Sequence, residues 1–207
     1  MSKLSFVIPC YGSEATVGIV TSEIIETLRQ RPEYDYEIIL VNDCSPDHVW
    51  ERIKALAQDN PHIIGISLAR NFGQHSALMA GYRACTGDLI ISLDDDGQTP
   101  ARELFTLVDK MAEGWDVVYA SYEHKMHSAF RNFGTWMNER MTESLLGKPK
   151  GLKVTSYFVM ERFITEEITR YQNPYPYIEG LIFRATMRIT NVPVTHHERM
   201  SGESGYT

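Results

Sequence analysis

Two hydrophobic periods alternate along the first half of the chain, and this alternation constrains the fold more than any other feature. Short, nearly continuous apolar or β-branched runs are typical of strands that are covered on both faces. They occupy residues 4–9, 37–42, 63–68, 88–94 and 116–121. Amphipathic helical patterns lie between them at residues 16–29, 46–58, 74–85 and 100–112. This regular succession predicts an α/β fold with a mostly parallel central sheet flanked by helices.

Two of the predicted helices begin with a capping pair. Ser45-Pro46 and Thr99-Pro100 each place a hydroxyl side chain directly before a proline. A hydroxyl can cap the first turn of a helix, and proline suits the first helical position. We therefore expect the second and fourth helices to begin at these two prolines.

The second half of the chain is less regular. Its predicted elements are a helix at 128–146, a strand at 154–160, a helix at 161–171, a loop at 172–177, a helical or mixed segment at 178–186 and a strand at 187–194. The sequence contains neither an internal repeat nor a linker rich in Gly and Ser. Since the 207 residues are 43% apolar and 23% charged, we expect one domain with a large core.

Composition excludes several classes of function. A net charge of −7 argues against a nucleic-acid binder, because affinity for a phosphate backbone comes from clustered Lys and Arg. Three widely spaced cysteines form neither a disulfide framework nor a CxxC metal site, so we expect buried thiols in a reducing compartment. The first strand pattern begins almost at once, and no apolar run approaches the roughly 18 residues that a membrane-spanning helix needs. These features predict a cytoplasmic chain.

Polar residues follow each of the first four predicted strands. In open parallel sheets, ligands bind beyond the carboxyl ends of the strands, so these residues form the candidate site. They are Pro9, Tyr11, Glu14, Asn42, Asp43, Ser45, Arg70, Asn71, Asp94, Asp95, Asp96 and Gln98. Any single one could be an ordinary turn residue. Their gathering on one edge of the sheet favours a binding site.

The stretch SLDDDGQTP ends the fourth strand with three successive aspartates. Asp94 and Asp96 could hold one hard divalent cation, since carboxylate oxygens suit Mg²⁺ or Mn²⁺. Gly97 would provide the turn that brings them together, and Gln98 could add a neutral oxygen. The alternative is a structural one, in which the carboxylates favour the N-terminus of the helix that follows Pro100.

Three blocks of sequence together resemble one known family. FVIPCYGSE, EIILVNDCSPD and LARNFGQHSALMAGYRACTGDLIISLDDDGQTP are similar to the nucleotide-sugar half of the family 2 glycosyltransferases, whose fold is the Rossmann-like GT-A fold. RNFGQHSALMAGY and VPVTHHERMSGESGYT resemble the subgroup of undecaprenyl-phosphate glycosyltransferases and dolichol-phosphate mannose synthases. The likeness is strong over 4–120 and in the tail, and weaker over 121–198. It implies one catalytic domain, in which 1–120 binds the nucleotide sugar and 121–207 binds the acceptor.

The resemblance implies roles for the residues that bind the nucleotide of a UDP- or GDP-sugar. Pro9, Tyr11 and Glu14 would lie against the base and ribose, and Asp43 would bind the nucleotide. The family often has Asn-Glu directly after the tyrosine, whereas Gly and Ser intervene here. The role of Glu14 is therefore open.

The resemblance also implies a metal site. The D-x-D motif of the family falls on Asp94, Asp95 and Asp96, and Gln98 can also reach the metal in this subgroup. The middle position commonly holds a small residue, so Asp95 adds a carboxylate without an assigned role. Arg199, in R-x-x-G-x-S, matches the arginine that reaches the diphosphate or the acceptor phosphate. Its guanidinium suits bidentate phosphate binding.

The type of acceptor decides whether a catalytic base is needed. A phosphate is already a nucleophilic anion, whereas a sugar hydroxyl needs a carboxylate to take its proton. Glu179 could be that base or a carboxylate at a helix N-terminus. Between 125 and 153, six basic residues oppose Glu139 and Glu143, giving +6 − 2 = +4, which suits an anionic lipid surface or could be a solvated helix face. The basic residues are Lys125, Arg131, Arg140, Lys148, Lys150 and Lys153, with Arg131 the expected contact to the acceptor phosphate.

The residues and the resemblance together predict a metal-dependent transfer to a polyprenyl phosphate at the cytoplasmic face of the membrane, with Asp96, Arg199 and Glu179 as catalytic candidates. The resemblance implies that the transfer inverts the sugar. The alternatives are transfer to a hydroxyl of a growing cell-surface polysaccharide, with Glu179 as base, and a non-catalytic nucleotide-sugar-binding module. We expect peripheral membrane contact and a possible homo-oligomer. In this subgroup membrane-spanning helices often follow the R-x-x-G-x-S motif, so a truncated catalytic domain or a short member is expected. His196 and His197 would point to opposite faces of a strand, which argues against joint metal ligation.

Overall fold

A computed structural model describes residues 2–97, 99–122 and 147–195. These residues contain a seven-stranded sheet in the order β3-β2-β1-β4-β6-β5-β7. Its strands are β1 (Lys3–Cys10), β2 (Asp35–Asn42), β3 (Ile63–Ser67), β4 (Leu89–Ser92), β5 (Val117–Tyr122), β6 (Phe158–Glu161) and β7 (Ile189–Val194). The helices are α1 (Val17–Leu28), α2 (Val49–Asp59), α3 (Gln74–Ala84), α4 (Leu104–Met111), α5 (Arg162–Ile168) and α6 (Ile178–Ala185).

Both faces of the sheet are covered, as the near-continuous apolar strands predicted. Phe6 and Ile8 of β1 pack into one core with buried residues of α1 and α4. Val7, between them, points to the other face and packs with buried residues of α3, α5 and α6. Successive side chains of a strand alternate between the faces, so one short strand serves both cores.

The sheet is mostly parallel, with one reversed strand. β1 runs parallel to β2 and β4, and β5 runs parallel to β7. β6 lies antiparallel between β4 and β5. The strand predicted at 154–160 is shorter and later, at Phe158–Glu161. Just before it, the hydroxyl of Thr155 lies 2.9 Å from the Ala120 carbonyl and 3.0 Å from the Tyr157 carbonyl.

The two expected helix starts are wrong. α2 begins at Val49 rather than at Pro46, and the N–H of Val49 donates to Asp47 Oδ1 at 3.2 Å. The hydroxyl of Ser45 also donates to Asp47 Oδ1, at 2.6 Å, so it does not cap the helix. A short 3-10 turn, Ala101–Glu103, precedes α4, and its start carries no side-chain cap. Asp47 takes the role that the sequence pattern assigned to Ser45.

The prediction of three buried thiols is also only partly correct. All three cysteines are free, and Cys10 is buried. Cys44, however, is exposed, with a φ of 52° in the turn after β2. Cys44 lies two residues beyond the end of β2, where the chain turns away from the sheet.

Gly81 lets α3 lie directly on the sheet. A Cβ added at this position would stand 2.3 Å from Val7 Cγ1 and 3.2 Å from Val41 Cγ2. No larger residue fits this approach without displacing the helix. The contact places the first turn of α3 beside the carboxyl ends of the strands.

No described helix is both long and apolar enough to cross a membrane.

Candidate functional site

The candidate site lies where β1, β2 and β4 end at the same edge of the sheet. These strands are parallel neighbours, so the segments that follow them meet there. The first turn of α3 and the segment before β6 approach the same edge. The site therefore combines loops from both halves of the chain.

Asp94 is held from two sides. Gln74 Nε2, in the first turn of α3, donates to Asp94 Oδ1 at 2.9 Å. The hydroxyl of Ser156, just before β6, donates to Asp94 Oδ2. Two donors on the two oxygens fix the orientation of the carboxylate, because each oxygen is held in place by its own hydrogen bond.

Asp95 faces the opposite side of the strand end, toward the loop after β1. Its Oδ2 accepts the N–H of Tyr11 at 3.1 Å. Burial raises the pKa of the Asp95 carboxyl to about 6, and the charge of Asp94 contributes to the rise, while the Tyr11 N–H opposes it. The middle aspartate thus ties the acidic triplet to the first loop of the site, a role that the sequence left open.

Asp96 lies near Tyr122, at the end of β5. Burial raises the pKa of the Tyr122 hydroxyl to about 12, with the charges of Asp94 and Asp96 contributing. Gly97 adopts a φ of 75°, the left-handed turn that the sequence predicted after the triplet. Gln98 lies outside the described residues.

The residues present fit a hard divalent cation that substrate phosphates help to hold. The hydrogen bonds from Gln74 and Ser156 hold the Asp94 carboxylate in one orientation, which suits it to bind such a cation. Across residues 2–97, 99–122 and 147–195, no three His, Cys, Asp or Glu side chains form a complete metal cage. Mg²⁺ in phosphate-handling sites commonly uses only one or two carboxylates, so Asp94 and Asp96 are sufficient for this chemistry.

Asp43 is fully buried and holds the loop that opens α3. Its two carboxylate oxygens accept the N–H groups of Phe72 and Gly73, each at 2.8 Å. A carboxylate that accepts two backbone N–H groups orders the loop strongly. The binding of nucleotide by Asp43 stays a prediction, and its contacts assign it a supporting role for the loop.

Asp47 joins the loops after β1 and β2. Asp47 Oδ1 accepts hydrogen bonds from the Ser45 hydroxyl and the Val49 N–H. Its Oδ2 accepts the N–H of Glu14 at 2.9 Å. Burial raises the pKa of Asp47, but these hydrogen bonds outweigh it and lower the pKa overall. Sequence reasoning missed this residue, although aspartate is among the residues preferred at the start of a helix.

The predicted nucleotide-binding residues lie around this junction. Pro9 is buried in β1, in register with Val41 of β2. Tyr11 follows the strand and reaches Asp95 through its backbone. Glu14 is exposed, and its Oε2 accepts the N–H of His48 at 3.2 Å. The contact of all three with a base and ribose stays a prediction.

Glu179 lies in the first turn of α6, beside the first turn of α3. His75 Nδ1 stands 3.9 Å from Glu179 Oε2, and the ring of His75 meets that of Tyr177 edge to face at 5.6 Å. Both His75 Nδ1 and Glu179 Oε2 are buried and have no hydrogen-bond partner among the described residues. Glu179 is thus at a helix N-terminus, as the structural alternative expected, and also at the edge of the site.

The basic stretch is only partly described. Lys148 is buried, and its Nζ donates to the Leu152 carbonyl at 2.9 Å, so it does not add charge to a membrane-facing surface. Lys150 and Lys153 are exposed. Other predicted residues lie outside the described part of the chain: Lys125, Arg131, Arg140, His196, His197 and Arg199.

Comparison with known proteins places these features in a family. The family described as Glycosyl transferase family 2 matches residues 5–169. The chain is 37% identical over 211 residues to the undecaprenyl-phosphate 4-deoxy-4-formamido-L-arabinose transferase of Yersinia enterocolitica, covering 100% of this chain and 63% of the relative. The chain therefore spans less than two thirds of that relative's length.

Solved structures confirm the fold. Glucosyl-3-phosphoglycerate synthase from Mycobacterium tuberculosis, in complex with Mn²⁺, UDP and phosphoglyceric acid, matches with a TM-score of 0.67 at 19% identity, over 96% of this chain and 72% of that one. Mannosyl-3-phosphoglycerate synthase from Rubrobacter xylanophilus matches with a TM-score of 0.67 at 16% identity, over 96% and 68%. These likenesses confirm the expected GT-A fold. Because the family match covers most of the chain and the 37% identity extends along all of it, this chain belongs to glycosyl transferase family 2.

Proposed function

We propose that the chain transfers a sugar, with inversion, from a nucleoside diphosphate sugar to a polyprenyl phosphate at the cytoplasmic face of a membrane. The observation that carries the proposal is the acidic triplet at the sheet edge, with Asp94 oriented by Gln74 and Ser156. The likeness to a relative named for undecaprenyl phosphate supports the lipid acceptor. Family membership supports sugar transfer as the reaction.

The donor would lie along the strand ends, with its diphosphate at the triplet. Asp94, Asp96 and Gln98 would hold Mg²⁺ or Mn²⁺, which would supply Lewis-acid stabilisation of the leaving nucleoside diphosphate. The Mn²⁺ and UDP of the mycobacterial structure support this choice of cation and nucleotide. Asp43 would keep the loop before α3 in shape, and Asp95 would keep the loop after β1 against the triplet.

The acceptor would be the attacking group. A phosphate oxygen of the lipid would form a bond to the anomeric carbon as the bond from that carbon to the diphosphate breaks. The phosphate is already anionic, so no proton has to be removed by the protein. Arg131 and Arg199 would bind the acceptor phosphate, since a guanidinium suits bidentate contact to phosphate oxygens.

A hydroxyl acceptor on a polysaccharide is the second candidate. Glu179 favours it, because its carboxylate lies at the edge of the site and could take a proton. For this reaction, Glu179→Gln would lower kcat by a factor on the order of 10²–10⁴. If the acceptor is a phosphate, Glu179→Gln should leave kcat at saturating donor near the wild-type value.

The experiment is a donor and acceptor panel. Purified protein is incubated with Mn²⁺ and UDP-4-deoxy-4-formamido-L-arabinose, UDP-glucose or GDP-mannose, with undecaprenyl phosphate in detergent or an oligosaccharide as acceptor. We expect one donor to give a glycosylated lipid phosphate by mass spectrometry, with one nucleoside diphosphate released per product. Product on the oligosaccharide alone would contradict the lipid acceptor. Binding of a donor without any product would favour the non-catalytic module.

A further inference from the structure

Three buried polar atoms lie on the face of the sheet that α3 and α6 cover, and they form no hydrogen bond with one another. His75 Nδ1, Tyr119 Oη and Glu179 Oε2 have no hydrogen-bond partner in the described part of the chain. Burial raises the pKa of Tyr119 well above its ordinary value, and the charge of Glu179 contributes, which indicates that the two are close. Such atoms are rare in folded proteins, and each one calls for an explanation.

The geometry makes His75 the neighbour that orients Glu179. The two atoms are 3.9 Å apart, beyond hydrogen-bond distance but within reach of a small rotation. Tyr177 packs edge to face against the imidazole, with the two ring centroids 5.6 Å apart. Tyr82 is also nearby, but its hydroxyl is already engaged with Ser92 at 2.6 Å. The Tyr119 hydroxyl and the imidazole are the remaining polar groups near the carboxylate, and the imidazole stands 3.9 Å from its Oε2.

Glu179 is linked to the proposed donor-binding side of the site through the first turn of α3. Gln74, which directly precedes His75, donates to Asp94. The first turn of α3 thus presents Gln74 to the acidic triplet and His75 to Glu179. Oε2 is buried, so the 22% of the Glu179 side chain that remains accessible belongs to its other atoms. A neutral hydroxyl can approach a carboxylate there, whereas an acceptor phosphate would be repelled by it.

We propose that His75 is a positioning residue that holds Glu179 so that its carboxylate accepts a hydrogen bond from a hydroxyl of the transferred sugar. The inference rests on the proposed function. It assigns Glu179 to recognition of the sugar rather than to proton removal. A site built to bond a hydroxyl discriminates strongly against donors that lack it, because its polar groups are then left unpaired.

The test compares binding of the nucleotide with binding of the nucleotide sugar. Affinities for UDP and for UDP-4-deoxy-4-formamido-L-arabinose are measured calorimetrically with Mn²⁺ for the wild type, His75→Ala, His75→Asn and Glu179→Gln. We expect unchanged UDP binding and a loss of about tenfold for the nucleotide sugar in His75→Ala and Glu179→Gln, the size of one hydrogen bond. His75→Asn should recover part of the loss, since its amide can reach the place of Nδ1.

His62→Ala is the matched control. His62 Nδ1 also stands 3.9 Å from a carboxylate oxygen, that of Asp35, but at the opposite end of β2. His62→Ala should leave the affinities for UDP and for the nucleotide sugar unchanged.

Several results would overturn the inference. Equal loss of UDP and nucleotide-sugar affinity in His75→Ala would mean that the site itself is disrupted, and no loss would mean that His75 does not act on Glu179. A fall in kcat for Glu179→Gln with an unchanged donor KM would make Glu179 the base. Failure of the wild type to bind any nucleotide sugar would contradict the proposed function together with this inference.

Discussion

The Gln74 amide donates to Asp94 Oδ1 across 2.9 Å, which ties the first turn of α3 to the acidic triplet after β4. Since this bond and the Ser156 hydroxyl orient one carboxylate, removing the amide should loosen the proposed metal site without unfolding the chain. We expect Gln74→Ala to weaken Mn²⁺-dependent UDP binding about tenfold, the size of one hydrogen bond to a charged group. Titration calorimetry checks this. Gln58→Ala, on the exposed last turn of α2, is the control, and equal effects of the two variants would contradict the assigned role.

Asp43 supports a loop, so its removal should cost stability and not only affinity. Asn offers one acceptor oxygen where the carboxylate offers two, so the N–H of Phe72 would lose its partner or that of Gly73 would keep only its bond to Asn71 Oδ1. We expect Asp43→Asn to lower the free energy of unfolding by about 1–3 kcal/mol in urea titrations. Asp59→Asn, on an exposed helix end, should change it little. A variant of wild-type stability that no longer binds UDP would instead make Asp43 a direct ligand.

The buried carboxylate of Glu37 should give the chain a measurable acid sensitivity. Burial raises its pKa, but hydrogen bonds from Lys3, Ser5 and Thr86 outweigh burial and lower the pKa to about 2. A lowered pKa contributes stability above the unfolded value, and that stability is lost as the pH falls through the folded value. Glu37→Gln should therefore cost on the order of 2–3 kcal/mol at pH 7 and progressively less between about pH 5 and 2.

Urea titrations of wild type and Glu37→Gln across this pH range check that prediction. Glu113→Gln removes an exposed ion pair with Lys110 and should have little effect at any pH. A cost for Glu37→Gln that stays constant with pH would show that the charge of Glu37 is not responsible.

Gly81 should tolerate no side chain. A Cβ there would stand 2.3 Å from Val7 Cγ1, so Gly81→Ala must shift α3 or the sheet, at about 1–3 kcal/mol of unfolding free energy. Gly18→Ala is the matched control in α1, where the nearest atom, Arg52 Nη2, would be 3.7 Å from the added Cβ. It should leave stability unchanged or raise it by up to about 1 kcal/mol. Thermal unfolding of both variants separates crowding from helix propensity, and equal shifts would refute the close approach.

The strands were predictable because burial on both faces leaves a continuous apolar run in the sequence. The carboxyl ends of those runs located the edge of the sheet and therefore the acidic triplet. The helix starts were not predictable in the same way. Asp47 accepts N–H groups from its own helix and from Glu14, and the second contact depends on how two loops meet in space.

The partners of the triplet were also beyond sequence reasoning. Gln74 and Ser156 are far from Asp94 in the chain, and β6 reaches β4 only because it inserts between β4 and β5 in reverse. Both His75 and Glu179 could be seen in the sequence, His75 inside a block that resembles the family. That the two are neighbours follows only from the packing of α3 against α6. Local patterns identified which residues are polar strand ends, and packing decides which of them meet.

The most direct test of the account is the formation of sugar-linked undecaprenyl phosphate by the wild type and by Asp96→Asn, each with Mn²⁺ and with EDTA. Asp96→Asn should fold normally, as checked by its unfolding midpoint, because the change preserves shape. We expect lipid product only for the wild type with Mn²⁺, and a loss of at least about a hundredfold on chelation or substitution, the order expected when electrostatic stabilisation of the leaving group is removed. Product formation at the wild-type rate by Asp96→Asn, or in EDTA, would contradict the metal site and with it the central claim.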